Sequence, residues 1–360
     1  MADSERRVSL VIGPLNVASQ ASSWSRSTRD SLGVSSTTVA FDGPLARRLK
    51  RDAVSVDDRA ARSVPHYLLA PTWMRAMTVR SVLRHTSHFL SEGNTPLLAD
   101  PRASRFTDEA DWFEARGVSV GVVFHGSDAR DPDLSMQIDE HSFFHHVPTE
   151  MVERLRRISR INRETVAARE MPVFVTTPDM LDHVPQAQLL PLTVDTSAWI
   201  GAPEILSTSD RPRVLHRPGA GDPMIKGSDR IVPVLEEFEA KGWIDVVRSP
   251  LVNHARMSEL YARSDIVVDQ LRIGSYGVTG VEAMAAGRIV VANVGSEAGA
   301  RSDEEQFIVH ADPSTFRTVL EELIMDPDRG RSIGAAGQRY AQMQHGGERA
   351  ATVLRGFLHE

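Results

Sequence analysis

Three stretches of the 360-residue chain bring together residue types that could do chemistry. In the first, at 265–294 (DIVVDQLRIGSYGVTGVEAMAAGRIVVANV), an apolar run leads to glycines at 274, 277 and 280, then a helix-like EAMAAG and a second apolar run. A strand that feeds a glycine-spaced turn and a helix N-terminus presents unpaired amides and the positive end of a helix dipole, which suits a phosphate. The spacing is not the GxGxxG of a nicotinamide site, and a plain tight turn also fits three glycines. Glu282, inside that helix, is placed to accept a hydrogen bond from a ribose attached to such an anion. In the second stretch, VGVVFHGSDAR at 120–130, an apolar strand ends in His125, followed by Gly126, Ser127 and Asp128. An imidazole there stands at the carboxyl edge of a sheet, where α/β proteins open their clefts. Asp128 could orient it, bind an acceptor or cap the following turn, and a structural strand-end histidine is the plainer alternative. The third stretch, VLHRPGAGDPMIKGSDRIVPVLEEF at 214–238, carries Arg217 and Lys226. Only Lys50, Lys226 and Lys241 are lysines among the 41 basic residues, so a lysine in this turn is informative. Its compact ammonium suits a point contact to phosphate oxygens, with an exposed turn lysine as the alternative. A P-loop is excluded, because GDPMIKGS has no glycine directly before the lysine.

These groups need a scaffold, and the length fits about two domains of ordinary size. Apolar strands are expected at 7–12, 37–41, 67–69, 118–124 and 173–176, with a helix at 21–32, the pattern of an open and mostly parallel sheet. A second series begins after LPLTVD at 190–195. Its strands are expected at 213–215, 244–247, 266–269, 289–293 and 307–310, and its helices at 228–241, 254–264, 277–286 and 313–325. Two terminal helices follow at 331–343 and 347–358, broken at His345, Gly346 and Gly347. The fold class is therefore α/β, two Rossmann-like domains facing across a cleft. The expected division is an N-terminal domain at 1–195, a C-terminal domain at 196–340 and a terminal helix at 341–360 that returns to the first. A basic amphipathic segment at 148–170 (arginines 154, 156, 157, 160, 163 and 169) could lie against anionic lipid or form a solvated face. The same choice holds for Trp73, Arg75, Arg80 and Arg84.

Composition narrows the chemistry. With 41% hydrophobic and 25% charged residues the chain is an ordinary globular protein, and no apolar run approaches the roughly 18 residues of a spanning helix. The opening MADSERRVSLVIGP is not a secretory signal, so a cytoplasmic location is expected, with a peripheral contact at the inner membrane face left open. The absence of cysteine excludes disulfides, thiolate nucleophiles and cysteine-bound metal. A net charge of −7 argues against a nucleic-acid partner. His141 and His145 lie four apart but lack an evident third ligand, and the DPD tripeptides at 131–133 and 326–328 place proline between the aspartates, as in turns. No metal is expected.

The 265–294 stretch resembles the donor-binding signature of GT-B glycosyltransferases, in the large retaining family that includes sucrose synthases and bacterial phosphatidylinositol mannosyltransferases. That family carries two glutamates eight positions apart around a Gly-Phe-Gly-like turn, then EAMAxGxPVV. Residues 276–294 match, with Glu282 at the second glutamate, which holds the donor ribose; Gly274 stands at the first, which contacts the donor sugar. Lys226 resembles the family lysine that neutralises the leaving diphosphate, and Arg217 is nearest to its arginine, nine positions away where the family has five. His125 resembles the histidine that contacts the transferred sugar. The loop at 13–20 (GPLNVASQ), with Gly13 and Asn16, resembles the loop after the family's first strand. The resemblance implies a metal-independent transferase that takes a UDP- or GDP-linked sugar to an acceptor hydroxyl, with Ser275, Tyr276, Gly277 and Val278 around the diphosphate. No cofactor is implied besides the nucleoside-diphosphate sugar itself. Its acceptor would be a glycan, a lipid-linked group or a small molecule, in cell-surface polysaccharide or glycolipid synthesis. A degenerate homologue that binds without transfer and a nucleotide-sugar epimerase are the rival readings.

Overall fold

The computed structural model describes residues 8–40, 83, 85–97, 105–199, 211–218, 223–248, 254–294, 301–302 and 305–359. The strand expected at 67–69 and the choice posed by Trp73, Arg75, Arg80 and Arg84 lie outside these residues. The first sheet contains β1 (Ser9–Gly13), β2 (Ser35–Thr38), β3 (His88–Glu92), β4 (Ser119–Phe124), β5 (Val173–Val175) and β6 (Gln188–Leu189), in the order β2-β1-β3-β4-β5-β6. The second contains β7 (Arg213–His216), β8 (Asp245–Val246), β9 (Ile266–Val268), β10 (Ile289–Ala292) and, beyond a short antiparallel pair formed by β11 (Arg301–Ser302) and β12 (Glu305–Gln306), β13 (Val309–His310), in the order β13-β10-β9-β7-β8. All pairings within the two main sheets are parallel. Parallel strands are covered on both faces, which is why they read as continuous apolar runs rather than alternating ones. β3 was absent from the expected strands, because HFLSE is short and ends in polar residues.

Helices α1 (Gln20–Leu32), α2 (Phe106–Glu114), α3 (Pro132–Ile138), α4 (Thr149–Ala167) and α5 (Met180–His183) accompany the first sheet. The second has α6 (Pro223–Lys226), α7 (Ser228–Ala240), α8 (Met257–Ala262), α9 (Val278–Ala285), α10 (Phe316–Met325) and α11 (Pro327–His345), and α12 (Glu348–Leu358) closes the chain. Each sheet has an apolar cluster on either face. One of those on the first sheet joins Ala21 and Trp24 of α1 to Ala350, Leu354 and Phe357, so α12 packs on the opposite end of the sequence. The backbone break before it is tight: a Cβ on Gly347 would lie 2.4 Å from Ser27 Oγ.

A fifth cluster links the halves. Phe143 and Phe144 pack with Val152 and Leu155 of α4 and against Ile225 and Ile273 from the second half. Beside it the Phe143 amide donates to the Arg272 carbonyl (3.1 Å), and Asn293 Nδ2 donates to Asp139 Oδ2 (3.1 Å). Three arginines of the basic segment at 148–170 pair within its own half: Arg156 with Asp133 and Glu153, Arg163 with Asp131, and Arg169, just past α4, with Asp111 and Glu114. No described helix is long and apolar enough to cross a membrane.

Candidate active site

Both sheets turn the carboxyl ends of their strands to a common cleft, the place where open α/β sheets bind ligands. On the first sheet, β4 delivers His125 and β3 delivers Glu92, which is 0% exposed. His125 Nε2 donates to Glu92 Oε1 (3.1 Å), and its ring stacks on Trp24, with centroids 5.8 Å apart. Glu92 also accepts from three amides of the loop after β1, those of Leu15 (2.8 Å), Asn16 (2.6 Å) and Val17 (3.1 Å). Burial pushes the Glu92 carboxyl up, but the hydrogen bonds from His125 and from the Asn16 and Val17 amides outweigh it and hold the group below its ordinary range. One carboxylate therefore fixes both the imidazole and the loop.

Asp128 does not orient the imidazole. Its carboxylate accepts from the backbone amides of His125 (2.9 Å) and Gly126 (2.7 Å), closing the turn, the third of the roles open to it; the carboxylate bonded to the ring is Glu92. Gly13 serves close packing: a Cβ there would stand 2.1 Å from the Val39 carbonyl oxygen. Asn16 is left-handed (φ 53°), and its Oδ1 accepts from the Ser22 amide (3.1 Å), which organises the start of α1. Behind His125, Arg130 is ion-paired with Asp179. Burial opposes the Asp179 charge, and Arg130 more than offsets it.

On the second sheet the organising group is Asp269, 0% exposed, just past β9. Its Oδ1 accepts from Lys226 Nζ (2.8 Å) and its Oδ2 from the Gly277 amide (2.6 Å), the N-cap of α9. The amide of Gly277 is thus committed within the protein, and Lys226 is half of an ion pair whose carboxylate also holds the glycine turn. Gly280 is required here, since a Cβ would come within 3.0 Å of Asp269 Oδ2. The Tyr276 hydroxyl lies near that of Tyr340 (3.2 Å) and near His345 Nε2 (3.3 Å), inside the second half. Ser275 is buried and its amide donates to the Ile273 carbonyl (2.7 Å). Glu282 is buried as well: Oε2 accepts from Tyr261 (2.9 Å) and Oε1 from His254 Nε2 (2.5 Å). That hydrogen bond raises the His254 pKa, against burial and the nearby Arg217 charge. The His254 side chain is 63% exposed. The Arg217 guanidinium rests against the Met257 sulfur. His216 is half-buried, its pKa pushed down to about 4 by burial, and bonds the Val268 carbonyl (2.9 Å) and Ser228 (2.8 Å).

A cavity of about 170 Å³ joins the halves, lined by Val17, His125 and Thr176 on one side and by Ser275, Gly277 and Val278 on the other. His125 and the glycine turn, 150 residues apart in sequence, thus face one space. Sequence reasoning missed Glu92, Asp269, Arg130, Asp179 and His254. Two carried a signal: an acid closing an apolar run (FLSE, IVVD) at a strand's carboxyl end is where a ligand or its scaffold must be met. Among the described residues no group of three or more metal-ligating side chains converges, His141, His145 and His146 included.

A family model described as "Glycosyl transferase-like" matches residues 219–355. A curated D-inositol 3-phosphate glycosyltransferase of Streptomyces coelicolor is 30% identical over 185 residues, 47% of this chain and 40% of that protein. The counterpart from Streptomyces scabiei is 29% identical over 174 residues. The chain thus spans about two fifths of the length of the curated relatives it matches. Among solved structures, Anabaena HepE in complex with UDP and glucose superimposes with a TM-score of 0.59 at 14% identity, covering 98% of this chain and 99% of that one. A glycosyltransferase from Rickettsia africae gives 0.59 at 11% identity, covering 98% of both. By its two facing parallel sheets and these superpositions the chain has the GT-B fold, and residues 219–355 match a family of glycosyl transferase-like sequences.

Proposed function

We propose that this protein transfers a sugar from a nucleoside-diphosphate sugar to an acceptor hydroxyl, with retention of configuration and without a metal. The observation that carries this reading is the shared cavity, in which His125 from one sheet faces the glycine turn from the other, next to the Lys226–Asp269 pair. The UDP and glucose named with the Anabaena structure are of the matching chemical class. The bond from the anomeric carbon to the diphosphate oxygen breaks, and the acceptor oxygen bonds to that carbon on the same face. The acceptor's proton passes to the departing phosphate, so no protein base is needed. Charge that builds on the diphosphate meets Lys226, Arg217 and the first-turn amide of Val278; one such contact is worth about 3 kcal/mol in a transition state. Glu282 takes the ribose hydroxyl in exchange for His254, and His125, held by Glu92, contacts the sugar. Asp128, Gly13 and Asn16 act indirectly, by shaping the two loops. Residues 1–195 present the acceptor, 196–340 the donor, and 341–360 tie the second part back to the first. Work in the cytoplasm on a cell-surface glycan or glycolipid fits this chemistry.

The test is binding and turnover of UDP- and GDP-linked sugars, followed by calorimetry and product analysis. Lys226→Ala and Glu282→Ala should each lower turnover at least tenfold; unchanged turnover in both would refute the site. A second reading, binding without transfer, is favoured by Gly274 and by the commitment of Asp269 and Glu282 to internal partners. Tight nucleotide binding with no product from any acceptor would select it, and a changed donor without acceptor would select an epimerase.

A further inference from the structure

The two donors on the Glu282 carboxylate differ in how firmly they are built in. Tyr261, on α8, is 0% exposed and donates to Oε2 (2.9 Å). Burial, and after it the Glu282 charge, pushes the phenol pKa well up, so this donor keeps its proton. His254 donates to Oε1 (2.5 Å) from a short turn, His254–Arg256, ahead of α8. Its side chain is 63% exposed and lies over a carboxylate side chain that is 5% exposed. One partner is part of the core, and the other is a surface side chain resting on a buried anion.

The imidazole can also carry the charge that balances Glu282. Two charges act on it: Glu282 of α9 raises its pKa through the hydrogen bond, and Arg217, from the stretch after β7, lowers it together with burial. The net direction is up. Arg256, on the same turn, is paired with Glu259 (3.0 Å). A hydrogen bond between charged partners is about twice as strong as a neutral one, so the imidazolium holds Oε1 more tightly than the neutral ring does.

We infer that His254 is a proton-linked competitor for the ribose site: a nucleotide sugar binds by exchanging the imidazolium on Glu282 for ribose hydroxyls, and so expels a proton. The inference rests on the transferase reading above, in which Glu282 holds the ribose. A buried carboxylate oxygen that loses a donor must gain another, and a hydroxyl supplies one where a phosphate, which only accepts, does not. Once off Glu282, the imidazole stands in water, where its pKa returns to about 6.5. Between that value and the raised pKa, the free protein binds more protons than the complex does. Donor affinity is therefore weakest below this window, climbs through it and is level above it.

The experiment is calorimetry of UDP-glucose and GDP-mannose binding from about pH 5.5 to 8.5, in pairs of buffers that differ in ionisation enthalpy. The diphosphate of a nucleotide sugar keeps a fixed charge over this range, so released protons come from the protein. Kd should fall at least fivefold from the acid to the alkaline end, with up to one proton released in between. His254→Ala should bind at the acid end as tightly as the unaltered protein does at the alkaline end, with no proton released. His254→Lys, whose cation persists, should bind at least fivefold more weakly than the unaltered protein at the alkaline end. The side chain is exposed, so neither substitution opens the core. A Kd level with pH, uptake of a proton on binding, or the same pH dependence in His254→Ala would each overturn the inference and leave the transferase reading standing. Absence of binding at every pH, by the unaltered protein and by His254→Ala alike, would instead sink the transferase reading and the inference with it.

Discussion

Glu92 and Asp269 occupy equivalent places in the two halves, each at the carboxyl end of a strand with neighbours on both sides, each 0% exposed. What they hold differs. Glu92 gathers three backbone amides and an imidazole, so its carboxylate is held by dipolar donors that fix a loop and a ring in place. Asp269 gathers one amide and the ammonium of Lys226, so its carboxylate is ion-paired and holds a lysine beside the glycine turn. Under the proposed function the same architectural device would serve shape on one side and phosphate chemistry on the other. A diphosphate gains from a nearby cation that is already fixed in place, whereas a sugar gains from rigidly held hydrogen-bonding groups.

The largest effect should come from separating Lys226 from Asp269. Lys226→Ala should lower turnover by about 10²- to 10³-fold, as loss of one preorganised donor does. It should also cost about 3–5 kcal/mol of stability, because it strands a buried carboxylate. The double variant Lys226→Ala with Asp269→Asn should recover most of that stability and none of the turnover. Denaturant unfolding and steady-state kinetics on the three proteins check this; recovered turnover in the double variant would remove Lys226 from the chemistry.

Glu92→Gln is the matching cut on the other side. Glutamine keeps one acceptor oxygen for four donors and turns an NH₂ toward N–H groups, so a loss of about 2–3 kcal/mol is expected. Turnover should fall about tenfold through displacement of His125 and the 15–17 loop, with nucleotide affinity unchanged. If calorimetry shows nucleotide affinity falling as far as in Asp269→Asn, the division of labour between the halves is wrong.

Acid should weaken both halves, the second more. His183 beside the first sheet and His216 and His345 in the second half all have pKa values pushed down to about 4, by burial first. Their unfolded value is about 6.5, so the unfolded chain binds protons that the folded one refuses. Their stabilisation is complete above pH 6.5 and is lost as the pH falls toward 4, up to about 3 kcal/mol for each. His254 has the opposite sign: raised by Glu282, its contribution is present below pH 6.5 and lost as the pH climbs through its folded pKa, and solvent screening keeps it small. Urea midpoints at pH 7.5, 5.5 and 4.5 should fall in that order. A flat profile would mean that these imidazoles are not held neutral.

The second half was the more legible in sequence, for a physical reason. Its strands are continuous apolar runs punctuated by glycines, and each expected strand has a counterpart from β7 to β13 within a few residues. The first half hid β3, where HFLSE ends in a serine and a glutamate. Glu92 is the residue that holds His125 and the 15–17 loop, so a local structural task broke the apolar pattern that would have revealed the strand. Asp269 was visible as the last residue of an apolar run, but nothing local told that its partners lie 43 positions back and 8 ahead. Residues that touch a ligand leave motifs; residues that hold those residues leave only a charge in an unexpected place.

The smallest effects test how closely each carboxylate is fitted. Gly13→Ala forces a Cβ to 2.1 Å from the Val39 carbonyl oxygen, so the backbone must move, at about 1–3 kcal/mol. Gly280→Ala meets Asp269 Oδ2 at 3.0 Å and Tyr276 Cβ at 3.2 Å, while alanine in a helix favours folding by up to about 1 kcal/mol over glycine. The two terms nearly cancel, so thermal unfolding should shift by only a few degrees. Nucleotide affinity should nevertheless drop several-fold, because a carboxylate pushed by a few tenths of an ångström takes both Lys226 and the Gly277 amide with it. Affinity equal to that of the unaltered protein would show that the Asp269 geometry is looser than its contacts imply.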